Sequence, residues 1–176
     1  MIFKNNLNDF KYIFKGNNDN IIKLYDNKLN YITIDLNNSF KEEKIKNIQI
    51  KILNIIYISK GDFIIALTDD NYLYKIKKLK NIIINKENNL DKSLISIIYI
   101  DKNEDNLYIG TNNGSIIIYN IEEIKNNIIN PYYYLYHLDK INCIDVNNEL
   151  NIIIDSSNDG YINLYTLPKM EIINSI

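Results

Sequence analysis

The sequence predicts an all-β chain, a succession of about four small antiparallel sheets. Three observations lead there. One short phrase recurs along the chain, the apolar runs are short and rich in β-branched and aromatic residues, and turn residues punctuate them at regular intervals. The clearest copies run from Ser93 to Ile121 and from His137 to Ile176. Each holds a hydroxyl residue, a turn residue two positions on, a glycine, and an aromatic six positions beyond the turn residue. These are Thr111, Asn113, Gly114 and Tyr119 in one copy, and Ser157, Asp159, Gly160 and Tyr165 in the other.

Fainter copies stand upstream. Thr68, Asp70 and Ile76 keep both steps, with Asn71 in the glycine position. Asp19 and Tyr25 keep the six-residue step, with Asn17 in place of the hydroxyl. The end positions 25, 76, 119 and 165 are 51, 43 and 46 residues apart. A unit in the forties with four short strands is the mark of a propeller blade.

The elements follow in order. The first unit reads as strands at 10–15, 21–25 and 31–36, beginning at its second strand and therefore incomplete. A polar stretch follows, with a short helix over 39–47 as an alternative because Ser39 and Glu42 form a capping pair. The second unit has strands near 51–58, 63–68, 72–77 and 82–85, and its β-branched run NIIIN favours strand over a helix across 77–90. The third has strands near 94–100, 106–111, 115–121 and 132–136; the fourth near 141–146, 152–156, 161–167 and 171–175. Pro131 and Pro168 precede outer strands, where a missing N–H is tolerated. The units span about 9–37, 49–86, 93–136 and 137–176. Runs such as SIIIYNI and LNIII are apolar at nearly every position, so both faces of their sheets must be covered, as in stacked blades.

These residues resemble the WD-repeat family. In that family a His before the first strand, a Ser/Thr on the second, an Asp in the tight turn and a Trp on the third form a hydrogen-bonded brace. His137, Ser157, Asp159 and Tyr165 fall on those positions, and Thr111, Asn113 and Tyr119 on the corresponding positions of the preceding unit. The chain has no Trp, so each brace ends in Tyr or Ile, and only the last unit has the His. The Asp that follows the Trp survives only as Asp26, with Lys77, Asn120 and Thr166 elsewhere. The final string, SSNDGYINLYTLPKMEIINSI, is similar to the WD repeats that follow the BEACH domain in large trafficking scaffolds. That resemblance implies a cytoplasmic scaffold in vesicle or membrane traffic, peripheral to membranes; a BEACH domain itself is not in this sequence.

Composition narrows the function classes. The 176 residues carry a net charge of −2, with 46% hydrophobic and 24% charged residues, a globular balance without a basic face for nucleic acid. Ile and Tyr carry the apolar load, Asn much of the polar load, and arginine is absent. The lysine run YKIKKLK, residues 74–80, reads as a solvated edge strand blunted by charge; membrane-surface contact is the alternative. The single cysteine, Cys143, excludes an internal disulfide and sits in an apolar strand, which predicts a buried, inert thiol. No apolar run is long enough to span a bilayer as a helix, the first residues lack a signal-peptide core, and the sequons at Asn37 and Asn113 read as accidents in an intracellular chain.

Three constellations invite chemistry. His137, Ser157 and Asp159 imitate a catalytic triad, but the same positions make the blade brace. Asp101, Asn103 and Asp105 imitate the start of a calcium loop, yet Asn106 stands where Gly is needed and Asn112 where Glu is needed, and a hairpin fits equally. The run PYYYLYH, residues 131–137, offers alternating tyrosines either as a contact patch or as outer-strand packing. No motif calls for a cofactor, a metal or a catalytic residue.

The expected function is a non-catalytic protein–protein interaction scaffold that binds protein or peptide partners. A peripheral lipid- or RNA-surface module is the alternative, and a propeller enzyme is a third class with little titratable material to build on. One partial and three whole blades do not close a ring, and a bare apolar face of roughly 500 Å² costs on the order of 10 kcal/mol at ~25 cal/mol/Å². The chain is therefore expected to be part of a larger ring, completed by further sequence of the same protein or by another chain.

Overall fold

A computed structural model describes residues 10–15, 21–26, 31–35, 39–43, 52–68, 71–77, 80–83 and 94–176. The described strands form four antiparallel sheets of four strands each, and every sheet is a simple meander in chain order. The first holds β1 (Phe10–Lys15), β2 (Ile21–Asp26), β3 (Tyr31–Asp35) and β4 (Ser39–Glu43). The second holds β5 (Ile52–Ile58), β6 (Phe63–Thr68), β7 (Leu73–Lys77) and β8 (Lys80–Ile83). The third holds β9 (Ile95–Ile100), β10 (Asn106–Thr111), β11 (Ser115–Asn120) and β12 (Tyr132–Leu135). The fourth holds β13 (Ile141–Asn147), β14 (Ile152–Ser157), β15 (Ile162–Thr166) and β16 (Ile172–Ser175). The chain divides into two compact units, residues 1–83 with the first two sheets and residues 84–176 with the last two.

The first sheet differs from the three-strand unit expected. Ser39–Glu43 is neither linker nor helix; it pairs along β3 as the fourth strand. An edge strand tolerates its charged composition because one side of its ladder faces no partner. The recurring station also shifts. The residues opposite the start of each first strand are Asp26, Thr68, Thr111 and Ser157. Their spacings are 42, 43 and 46 residues, more even than those counted from Tyr25. Tyr25 thus lies on the second strand of its sheet, not the third, while Asn17, Asp19 and Asp70 lie outside the described residues. Asp19 and Tyr25 matched the phrase only because Asn, Asp, Ile and Tyr are so abundant in this chain.

A β-bulge recurs with the same regularity. The pairing of first and second strands skips Lys11, Leu53, Ser96 and Asn142, in each case the second residue of the first strand. The hairpin after the second strand is equally constant. Asn71, Gly114 and Gly160 donate their N–H to the carbonyls of Thr68, Thr111 and Ser157, and all three have positive φ, 66°, 87° and 92°. This is a three-residue turn that ends in the left-handed region, which Gly and Asn enter most easily. The hydroxyls reinforce it: Thr68 Oγ1 donates to Tyr72 O and Thr111 Oγ1 to Ser115 O, both at 3.0 Å.

In the second unit the third and fourth sheets pack face to face. Tyr108, Ile116 and Ile118 meet Ile141, Ile144, Val146, Ile153, Tyr165 and Met170 in one buried layer, with Ile97, Tyr99, Tyr134 and Tyr136 against it. Polar contacts cross the same seam. Ser96 Oγ donates to Ile141 O at 2.7 Å, Tyr99 OH to Asp145 Oδ1 at 2.6 Å, and Tyr136 OH to Met170 O. Gly110 permits the close approach, since a Cβ there would sit 2.7 Å from Ile141 and Ile97 side-chain carbons. The opposite face of the β10–β11 hairpin is buried too, at Leu107, Ile109 and Tyr119. Both faces covered is what the unbroken apolar runs predicted.

Three local readings change. Cys143 is exposed, because the bulge and pairing with Ser156 put it on the outer face of the fourth sheet. Lys75 is buried on β7, a central strand, with its ammonium 5.3 Å from the centre of the Phe63 ring, so the lysine run is not wholly a solvated edge. A five-residue helix, α1 (Ile121–Lys125), follows β11 in a stretch to which the sequence assigned no element beyond Ile121; Asn120 caps it by accepting from Glu123 N at 3.1 Å. Among the described residues no helix is long and apolar enough to cross a membrane.

The turn glycines yield a graded test. A Cβ on Gly114 would lie 2.1 Å from His137 O, whereas one on Gly160 meets nothing within 4 Å. Gly160→Ala therefore costs only the left-handed strain, about 1–2 kcal/mol. Gly114→Ala loses more, because the backbone before β13 must move as well. Denaturant unfolding of both variants measures the difference.

Candidate functional site

The polar centre of the fourth sheet is built on a carboxylate inside an apolar strand. β14 reads IIIDSS, and its alternation turns Ile153, Asp155 and Ser157 to the buried face. β15 turns Asn163 and Tyr165 the same way, with Asn163 directly opposite Asp155. His137 enters from the segment between β12 and β13, held where its N–H donates to Gly114 O at 3.3 Å. It is 1% exposed.

Its ring bridges two aspartates. Nδ1 stands 2.8 Å from Asp159 Oδ2, and Nε2 stands 3.0 Å from Asp155 Oδ1. Tyr165 OH donates to the Asp155 carboxylate at 3.2 Å. Asn163 Nδ2 is drawn 3.0 Å from His137 Nε2, while its Oδ1 is buried without a partner among the described residues.

The two aspartates are tuned in opposite directions. Burial pushes Asp155 up from the ordinary carboxylate range, against the pull of His137 and Tyr165. Asp159 pays some desolvation, yet the N–H groups of Leu138 and Tyr161 and the His137 ring hold it down to about 2. Burial also raises the Tyr165 phenol, with the Asp155 charge adding to it.

Three of the four residues expected in this brace, His137, Asp159 and Tyr165, come together, but through Asp155 rather than Ser157. Ser157 Oγ donates to Asp139 O at 3.0 Å and accepts from Asp159 N at 3.2 Å, so it shapes the turn and does not reach the imidazole. A triad needs its hydroxyl against the ring nitrogen, and here both ring nitrogens face carboxylates. Asp155 and Asn163 went unread as members, although a lone Asp within an apolar strand was the visible signal.

In the third sheet the single hydroxyl proton of Thr111 is shared between Ser115 O and Asn113 Oδ1, the latter 2.5 Å from Oγ1, and clamps the turn. Tyr119 is buried apart from them, its phenol raised by desolvation and by the Tyr133 phenol beside it. Where the fourth sheet places Asp155 and Asn163, the third places Ile109 and Ile117 at the matching positions, so the polar centre is particular to the last sheet. Asp101 is likewise spent on its hairpin: Oδ1 accepts from Asp105 N at 2.8 Å and Oδ2 from Asn148 Nδ2 at 3.2 Å. The tyrosine run packs in part, as one of its two readings had it. Tyr134 stacks on Tyr136, and Tyr136 meets Tyr165 at 4.7 Å, while Tyr132 and Tyr133 stay exposed.

His137→Ala leaves the buried Asp155 carboxylate without its imidazole partner and is expected to cost about 3 kcal/mol in denaturant unfolding. Ser157→Ala loses only a turn bond, about 1 kcal/mol. The Asp159 contribution carries a definite sign. Its folded pKa lies below the unfolded value of about 3.9, so its stabilisation is complete above that pH and fades as pH falls toward 2. Melting temperatures from pH 5 to pH 2 should therefore fall more steeply for the parent than for Asp159→Asn. No protein-family model matches this chain, and no curated protein matches it.

Proposed function

We propose that the chain is a WD-like β-propeller segment of four blades that serves as a non-catalytic platform for protein partners. The observation that carries this is the fourfold meander with its bulge at equivalent stations and a common turn in the last three sheets, together with the face-to-face packing of the last two sheets. The buried His137–Asp155 cluster is occupied with holding strands together, which favours a platform over an enzyme. The similarity of the last unit to BEACH-associated WD repeats supports a cytoplasmic role in vesicle or membrane traffic. The burial of Lys75 removes charge from the surface that a lipid- or RNA-binding reading needs.

The outer face of the fourth sheet supports completion of the ring by a further sheet, from the same protein or a second copy. Ile97, Tyr108, Ile116 and Ile118 of the third sheet face the fourth. Their equivalents 46 residues later are Cys143, Ile154, Ile162 and Leu164. Cys143, Ile154 and Ile162 of this outer face are exposed, so the face is shaped as the one already covered and is open. Ile162→Lys should abolish self-association, or association with a companion propeller fragment, while leaving the melting temperature within a few degrees of the parent. Sedimentation equilibrium over a range of concentrations reads this. A parent chain that stays monomeric with a sharp melting transition overturns the incomplete-ring reading.

A further inference from the structure

The recurring turn carries Asn–Gly in the third sheet and Asp–Gly in the fourth, at residues 113–114 and 159–160. Residues 113 and 114 are the one Asn–Gly step in the sequence. An asparagine side chain holds a carbonyl carbon within reach of the next backbone nitrogen, and closing a ring between them is an intramolecular step favoured by proximity. A glycine leaves that nitrogen unhindered. Gly114 has a φ of 87°, and its N–H reaches Thr111 O only at 3.4 Å, longer than a normal bond and cheap to give up.

Thr111 supplies a second element. Its hydroxyl oxygen stands 2.5 Å from Asn113 Oδ1 and shares its proton between that oxygen and Ser115 O. Ser115 N donates to the same hydroxyl oxygen at 3.0 Å and holds it in place. A donor already aimed at a carbonyl oxygen stabilises the negative charge that develops there when the carbon is attacked. The fourth sheet lacks this arrangement. Ser157 Oγ donates to Asp139 O, and the Asp159 carboxylate accepts from the N–H groups of Leu138 and Tyr161. Its negative charge repels a nucleophile.

We propose that Asn113 is a site of self-modification, where the folded turn converts its own asparagine to aspartate and isoaspartate with water as the co-reactant. The Gly114 nitrogen gives its proton to water and bonds to Asn113 Cγ. The bond from Cγ to the side-chain nitrogen breaks, and that nitrogen takes a proton and leaves as ammonia. Water then opens the cyclic imide. Attack at the side-chain carbonyl gives aspartate; attack at the backbone carbonyl gives isoaspartate, whose main chain is one methylene longer. Aspartate is tolerated, since the fourth sheet holds Asp159 at the same station. The longer backbone is not. Gly114 O accepts from His137 N at 3.3 Å, and the fit is so close that a Cβ on Gly114 would lie 2.1 Å from His137 O. Isoaspartate therefore loosens the segment that carries His137 into the fourth sheet. This chemistry is independent of the platform role.

The test incubates the full chain in mildly alkaline buffer, native and in urea, and peptide mapping by mass spectrometry follows residue 113. Conversion in native buffer at least as fast as in urea is the expected result. Thr111→Val, folded by circular dichroism, should slow the native reaction several-fold without changing the rate in urea, and Thr111→Ser should restore it. The aged chain should melt several degrees below the fresh one, while Asn113→Asp melts with the fresh parent. Slower conversion in native buffer than in urea overturns the proposal, whether or not Thr111→Val folds. So does an equal native rate in the parent and folded Thr111→Val, or an aged chain that melts with the fresh one.

Discussion

A four-stranded sheet whose strands are apolar on both faces cannot stand alone in water, and the rest of this structure follows from that constraint. The β10–β11 hairpin buries Tyr108, Ile116 and Ile118 on one face and Leu107, Ile109 and Tyr119 on the other. At ~25 cal/mol/Å² the burial of several such side chains is comparable to the whole stability of a domain. The close approach at Gly110 and the hydrogen bonds from Ser96, Tyr99 and Tyr136 serve that contact. They satisfy polar groups that sheet stacking would otherwise strand.

The His137 cluster extends the same logic to the last sheet. Where the third sheet has isoleucines at 109 and 117, the fourth has Asp155 and Asn163. Burying that carboxylate is tolerable only because Tyr165 and the imidazole hydrogen-bond to it and Asp159 anchors the imidazole from the other side. The cluster also ties the segment before β13 to the β14–β15 turn, through the bond from Leu138 N to Asp159 Oδ2 at 2.9 Å.

Much of the β architecture was legible in the residues themselves. Alternating and continuous apolar runs place the strands of the last three sheets, and the hydroxyl–turn–glycine spacing identifies the hairpins at Thr68, Thr111 and Ser157. The first sheet was misphased because Asn, Ile and Tyr recur so often that a chance pair mimicked the phrase, and only strand pairing distinguishes Tyr25 from a third-strand residue. Helix α1 had a readable signal in Asn120 followed by Glu123, hidden within a polar loop. At the candidate site, His137, Asp159 and Tyr165 were readable through the likeness to the WD-repeat pattern. Asp155 was not, because its role depends on which face of β14 turns inward, and that is seen only in the folded sheet.

The bulge at the second residue of every first strand has a consequence for fidelity. Four units made largely of isoleucine, asparagine and tyrosine offer each strand many near-equivalent neighbours, and a slip by a single residue would exchange the residues of its two faces. An extra residue at a fixed position makes the ladder asymmetric, so that only one alignment closes it. A monotonous alphabet can thereby encode an unambiguous order of assembly, with the irregularity acting as a key cut to the same profile in every sheet.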